Sequence, residues 1–208
     1  MRSSAALAAE FRVRFHRLTW APMLSGVRDK ERMEITATAP PSGSRPQGSD
    51  GEVHRVEREG QLFMAKRIFG SVRLPDTLRA AENECLVLEL MAASFGAVHF
   101  PAIVDAYILQ ERVYIVQELC DLGDLHEYSR SNSEPVTSFV ASSVNWQTAA
   151  ALHYLHDRNI CHGDLKPDNI FLCTPKGCTL PNERCRGGEP PVHVKVGDMG
   201  RAFAVIWE

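Results

Sequence analysis

Between residues 52 and 69 the chain is built for strands. Residues 52–58 and 61–69 are strand-length segments, and the second sets Leu62, Met64, Lys66 and Ile68 on one parity. Glu59-Gly60 between them reads as a two-residue turn. A lysine inside an alternating apolar set either reaches water from an edge or has a buried anionic partner. The period then changes. Residues 78–93 are strong helix formers, opened by Asp76 or Thr77 after Pro75. Residues 103–109 and 112–119 return to strand character as an antiparallel pair around Gln110-Glu111. A short helix is expected over 121–128 and a longer one over 138–158. In the latter, Val140, Val144, Ala151, Leu152 and Leu155 form an apolar stripe, with His156 at its surface. Strands, helix, strands, then helices predict an α+β, two-lobed chain. The small sheet lobe crosses to a helical lobe at Glu118-Leu119-Cys120-Asp121.

Residues 36–51 hold Pro40, Pro41 and Pro46 among serines and glycines, bury almost nothing, and read as a linker. Arg2, Arg12, Arg14, His16 and Arg17 stand against Glu10 in the first 20 residues, a bias shared by organellar presequences and ordinary tails. Over the whole chain the composition is that of a soluble domain, with 44% hydrophobic and 24% charged residues. A net charge of -3 gives no reason to expect nucleic acid or an anionic membrane as partner. No apolar run is long enough for a transmembrane helix. Cys85, Cys120 and Cys161 lie in apolar or motif segments and are expected as free, buried thiols. Cys173, Cys178 and Cys185, followed by His193, lack the Cys-x2-Cys knuckle that a zinc site would favour. The expected compartment is reducing, cytoplasm or nucleus.

The chemistry is concentrated in Cys161-His162-Gly163-Asp164-Leu165-Lys166-Pro167-Asp168-Asn169 and, downstream, in Val194-Lys195-Val196-Gly197-Asp198-Met199-Gly200. The first resembles the His-Arg-Asp-x-x-x-x-Asn catalytic loop of the eukaryotic protein kinases, and Asp198-Met199-Gly200 resembles their metal-binding triplet. Met64-Ala65-Lys66 resembles their Val-Ala-Ile-Lys strand. Gly48-Ser49-Asp50-Gly51-Glu52-Val53 resembles the end of their glycine-rich loop, with Pro46 where its first glycine belongs and Asp50 at the tip.

The resemblance implies a role for each residue. Lys66 would hold nucleotide phosphates and Glu84, 18 positions on, would hold Lys66; Glu82 is two residues away, well off that helix face. Asp164 would orient the acceptor hydroxyl, with Lys166 beside the moving phosphoryl group. Asn169 and Asp198 would take magnesium. Gly48, Gly51, Val53, Gln117, Glu118 and Cys120 would line the ATP site with Lys66. The cofactors implied are ATP and Mg2+, and the partner is a protein substrate. The implied division is a flexible extension at 1–47, an N-terminal lobe at 48–119, and a partial C-terminal lobe at 120–208 with an insertion near 173–193.

Three features narrow the likeness. Gly163 replaces the family arginine that pairs with a phosphorylated activation loop, which implies activity not gated in that way. That loop, the long segment before Lys195-Val196-Gly197-Asp198 and the amide-bearing Gln117 all resemble the Wee-type kinases, which phosphorylate cyclin-dependent kinases on tyrosine. Residue type at Lys166 instead indicates serine or threonine. The alternatives are a pseudokinase or fragment acting as a binding module, and a small-molecule kinase. Because the resemblance stops near Ala202, the C-terminal lobe is expected to be truncated. The stripe on 138–158 is then expected to be partly uncovered and the chain poorly soluble or partly unfolded on its own.

Overall fold

The structure is a computed structural model that describes residues 51–71, 73–93, 95–109, 112–131, 136–175 and 192–205. Gly48, Pro46, Asp50, Cys178, Cys185 and most of the expected insertion lie outside the described residues.

Strands β1 (Gly51–Arg58), β2 (Gln61–Ile68), β3 (Ile103–Leu109) and β4 (Arg112–Glu118) form an antiparallel sheet ordered β1-β2-β4-β3. Glu59 and Gly60 both take positive φ, 54° and 78°, as a two-residue hairpin turn demands. Helix α1 (Pro75–Ala92) opens three residues earlier than the pattern predicts, because Pro75 itself fills a first-turn position. Thr77 does not cap it; its hydroxyl donates to the carbonyl of Phe69 at 3.3 Å.

Register decides what faces α1. Lys66 lies opposite Ile115, and Met64 opposite Gln117. Directly opposed residues share a face, so Lys66, Ile68, Ile115 and Gln117 point the same way. On that face Ile68, Ala106, Val113 and Ile115 pack on Ala81 of α1. Val56, Phe63, Ala65 and Val116 pack on the other face. Both faces of β2 are packed, so residues of both parities are covered; of the expected set Lys66 and Ile68 are buried, Met64 is half-buried and Leu62 is exposed.

The buried positions of α1 include Thr77, Ala81, Glu84, Leu88 and Met91, spaced four, three, four and three. Glu84 thus stands in the middle of an apolar stripe. Leu88 and Met91, with Phe100, meet Ala151 and Leu155 of helix α3 (Ser138–His156), and Met199 fills the space between them. This cluster joins the two lobes.

The short helix α2 is Leu125–Ser131, not 121–128. Residues before it turn, with Gly123 at φ 76°, and Asp124 caps the helix by accepting from the amide of Glu127 at 2.7 Å. α3 ends two residues before the expected 158; its carbonyls are met by Asp157, and Asn159 turns the chain at φ 55°. Its stripe is not left bare. Val140, Val144, Ala151 and Leu155 are buried, because strands β6 (Ile170–Cys173) and β7 (His193–Val196), α2 and the end of α1 cover them. The exposed large apolar residues of α3 are Phe139 and Trp146, which lie off the stripe. Gln147 is buried within it, donating to the carbonyl of Val192 at 2.8 Å and accepting from the amide of Val194 at 3.0 Å. That amide docks β7. Strands β5 (Ile160–Cys161) and β8 (Phe203–Ala204) pair on the flank of the site.

Cys120 is buried as expected, whereas Cys85, Cys161 and Cys173 are half-buried; all are free thiols. No helix among the described residues is long and apolar enough to cross a membrane.

Candidate active site

Lys66 is where the site begins. Only about 7% of the residue is exposed, and its ammonium touches two carboxylates: Glu84 Oε2 at 2.8 Å and Asp198 Oδ1 at 2.6 Å. Burial alone would depress its pKa, yet Glu84 first and Asp198 next outweigh it and hold the group above the ordinary lysine range. The ammonium is therefore charged at any working pH. Glu84, rather than Glu82, meets it. The second Glu84 oxygen, Oε1, accepts from Gln117 Nε2 at 2.9 Å.

The segment 161–169 delivers the second half. Asp164 Oδ2 takes the Lys166 ammonium at 2.7 Å. Asn169 donates from Nδ2 to the Asp164 carbonyl at 2.8 Å and to Oδ2 at 3.2 Å. The Lys166 hydrogen bond, more than any other contact, holds the Asp164 carboxyl below its usual range. Pairing of Ile170 with Val196 and a bond from the Gly197 amide to the Asn169 carbonyl at 3.0 Å put Asn169 and Asp198 at one end of the β6–β7 ladder.

Asp198 sits in the left-handed region, φ 58° and ψ 64°, a conformation that costs an L residue roughly 1–2 kcal/mol. His162 helps to hold it. Nε2 of His162 donates to the Gly197 carbonyl at 2.9 Å while Nδ1 accepts from the Asp164 amide at 3.3 Å. Burial pushes the His162 pKa down, so the neutral ring suits both bonds. Asn83 of α1 adds bonds to the carbonyls of Gly200 and Ala202 at 3.4 and 3.3 Å. Met199, the middle residue of the triplet, is fully buried in the cluster between α1 and α3.

Gly163 has φ 79°, and a Cβ there would lie 2.3 Å from the Arg201 carbonyl oxygen. The arginine of the family pattern has no room at this position. Arg201 instead brings a guanidinium to 3.9 Å from Asp164 Oδ1.

Of the other expected nucleotide contacts, Val53 lies opposite Lys66 across the β1–β2 ladder and is partly exposed. Gly51 opens β1. The side chains of Gln117, Glu118 and Cys120 each have protein neighbours. Glu118 pairs with Lys195 at 2.9 Å, and Cys120 is a buried free thiol. Lys195 also donates to the carbonyls of Phe100 and Val98 at 3.2 and 3.4 Å, a clasp between lobes that the linear pattern does not announce.

Among the described residues no group of three or more His, Cys, Asp or Glu gathers for a metal. Magnesium does not require one, since it takes one or two protein oxygens together with phosphates and water. The donor chemistry fits. Asp198 would supply a carboxylate, and Asn169 spends its amide nitrogen on Asp164, so its oxygen would be the atom to coordinate.

A protein kinase domain family model matches residues 46–205, and the chain belongs to that family. Its relatives include Wee1-like protein kinase 2 of Danio rerio, 28% identical over 171 residues, covering 76% of this chain and 31% of that protein. Cyclin-dependent kinase-like 4 of Homo sapiens is 29% identical over 128 residues, 61% of this chain and 32% of that protein. The meiosis-specific serine/threonine-protein kinase MEK1 of Saccharomyces cerevisiae is 44% identical over 70 residues, 32% of this chain and 14% of that protein. The chain therefore spans about a third or less of the length of these relatives.

Proposed function

We propose that the chain carries the phosphoryl-transfer site of a protein kinase that uses ATP with Mg2+ and a protein hydroxyl as acceptor. The observation that supports this most is the Lys66 ammonium held between Glu84 and Asp198, although Asp198 is 132 residues away in sequence. In this reading Lys66 binds phosphate oxygens and Glu84 fixes its position. Asp164 stays ionised and accepts the hydrogen bond of the incoming hydroxyl, orienting it for in-line attack. Lys166 places positive charge where the transferred group passes. Asn169 and Asp198 offer oxygen ligands. Magnesium, when bound, neutralises charge on the phosphates.

For the acceptor, the arginine-free loop and the Wee1-like relative support a Wee-type enzyme, with a cyclin-dependent kinase as substrate and tyrosine as target. Lys166 beside Asp164 supports serine or threonine. Labelled transfer from ATP to peptides carrying serine, threonine or tyrosine, one set cut from a cyclin-dependent kinase, separates these readings. Asp198→Ala should lower transfer about 100-fold or more, the scale seen when an electrostatic stabiliser is removed. Equal transfer by both proteins would overturn the assignment of Asp198. Tight Mg-ATP binding without transfer in any arm would support a non-catalytic binding module instead.

A further inference from the structure

A buried carboxylate has two oxygens to satisfy, and Lys66 meets only one of those on Glu84. Glu84 is about 1% exposed, so water does not serve the other. Gln117, equally buried on β4, supplies a neutral donor to Oε1 at 2.9 Å while Lys66 holds Oε2 at 2.8 Å. Two bonds on opposite oxygens fix the carboxylate plane. One bond would leave it free to rotate about its last torsion and carry the lysine with it. The sheet keeps Gln117 in place, because its neighbours in register are Met64 on β2 and Ile103 on β3.

We propose that Gln117 is a positioning residue: acting through Glu84, it sets the orientation of Lys66 toward the nucleotide phosphates. This rests on the phosphoryl-transfer reading above. Neutrality matters as much as reach. Lys66 already faces Glu84 and Asp198, so a third full charge at position 117 would upset the balance that keeps one ammonium between two carboxylates.

The test uses the 208-residue chain and two variants. Gln117→Met keeps the volume and removes the donor. It should weaken Mg-ATP binding and lower kcat/KM about 10-fold, the scale of an unsatisfied buried acceptor, while melting stays cooperative. Gln117→Glu keeps the shape but donates only while the new carboxyl is protonated. The charged group it meets is Glu84, which Lys66 in turn links to Asp198. Cys85 on α1 stays a thiol below pH 8.5, since burial pushes it up to about 12. Activity of Gln117→Glu should therefore approach native at low pH and fall as pH rises, a limb absent from the native profile. Unchanged constants in Gln117→Met, or a Gln117→Glu profile that superimposes on native, would overturn the proposal. Should the native chain transfer nothing, the functional reading fails separately. The Lys66 ammonium NMR signal then decides, displaced in Gln117→Met if Gln117 positions it and unmoved if not.

Discussion

Substituting Gly163 with alanine isolates a constraint beside Asp164 that the family pattern hides. Two costs add. A left-handed φ of 79° costs an L residue roughly 1–2 kcal/mol. In addition, the new Cβ would sit 2.3 Å from the Arg201 carbonyl oxygen and 3.1 Å from its carbon, so backbone must move. Overpacking of this kind costs about 1–3 kcal/mol. The total is about 2–5 kcal/mol, which at about 2–4 °C per kcal/mol lowers the melting midpoint by about 4–20 °C. Gly60→Ala is the matched control. Gly60 has φ 78° with nothing within 4 Å of its added Cβ, so it pays the torsional cost alone, about 1–2 kcal/mol. Thermal melts followed by circular dichroism compare the two. Transfer assays should also show Gly163→Ala about 100-fold slower, because the displaced backbone carries Asp164. Equal melting losses for the two alanines would refute the steric argument, and full activity in Gly163→Ala would refute the positional one. Gly163→Arg, which restores the family residue, should do no better than alanine.

Acid should destabilise the chain before its carboxylates protonate. His162 is held neutral by burial with its pKa below the ordinary value near 6.5, so its contribution is intact above that value and is lost as pH falls through the folded one. Urea melts should show stability falling as pH drops below about 6.5, with a shallower slope in His162→Asn; identical slopes would remove His162 as the cause. Asp164, also depressed, adds a second loss below about pH 4. Lys195→Met leaves Glu118 without its cation and removes donors from two carbonyls, and should cost about 1–3 kcal/mol in melts; no change would show the clasp to be incidental.

Much of the site could be read from single residues because its chemistry is carried by short, fixed spacings. Asp164, Lys166 and Asn169 lie on one loop, and Lys66 declared itself as a cation on an apolar parity. What stayed hidden depends on pairings between distant segments. Gln117 is one polar residue on a strand until the β2–β4 register aims it at Glu84. Gln147 interrupts an apolar stripe, and its purpose appears only when β7 arrives with two unpaired backbone groups. Gly163 looked like the loss of an arginine, but the backbone of Arg201 shows it to be a steric need. Helix α2 starts later than residue 121 because Asp124 carries the cap.

Asn83 has a mechanical consequence. Its side-chain amide ties α1 to the carbonyls of Gly200 and Ala202, one helical step from Glu84. A swing of α1 away from the sheet would have to tear both anchors or drag 200–202 along. Helix and loop are thus geared together, and Glu84 cannot withdraw from Lys66 without tugging on the stretch that bears Asp198.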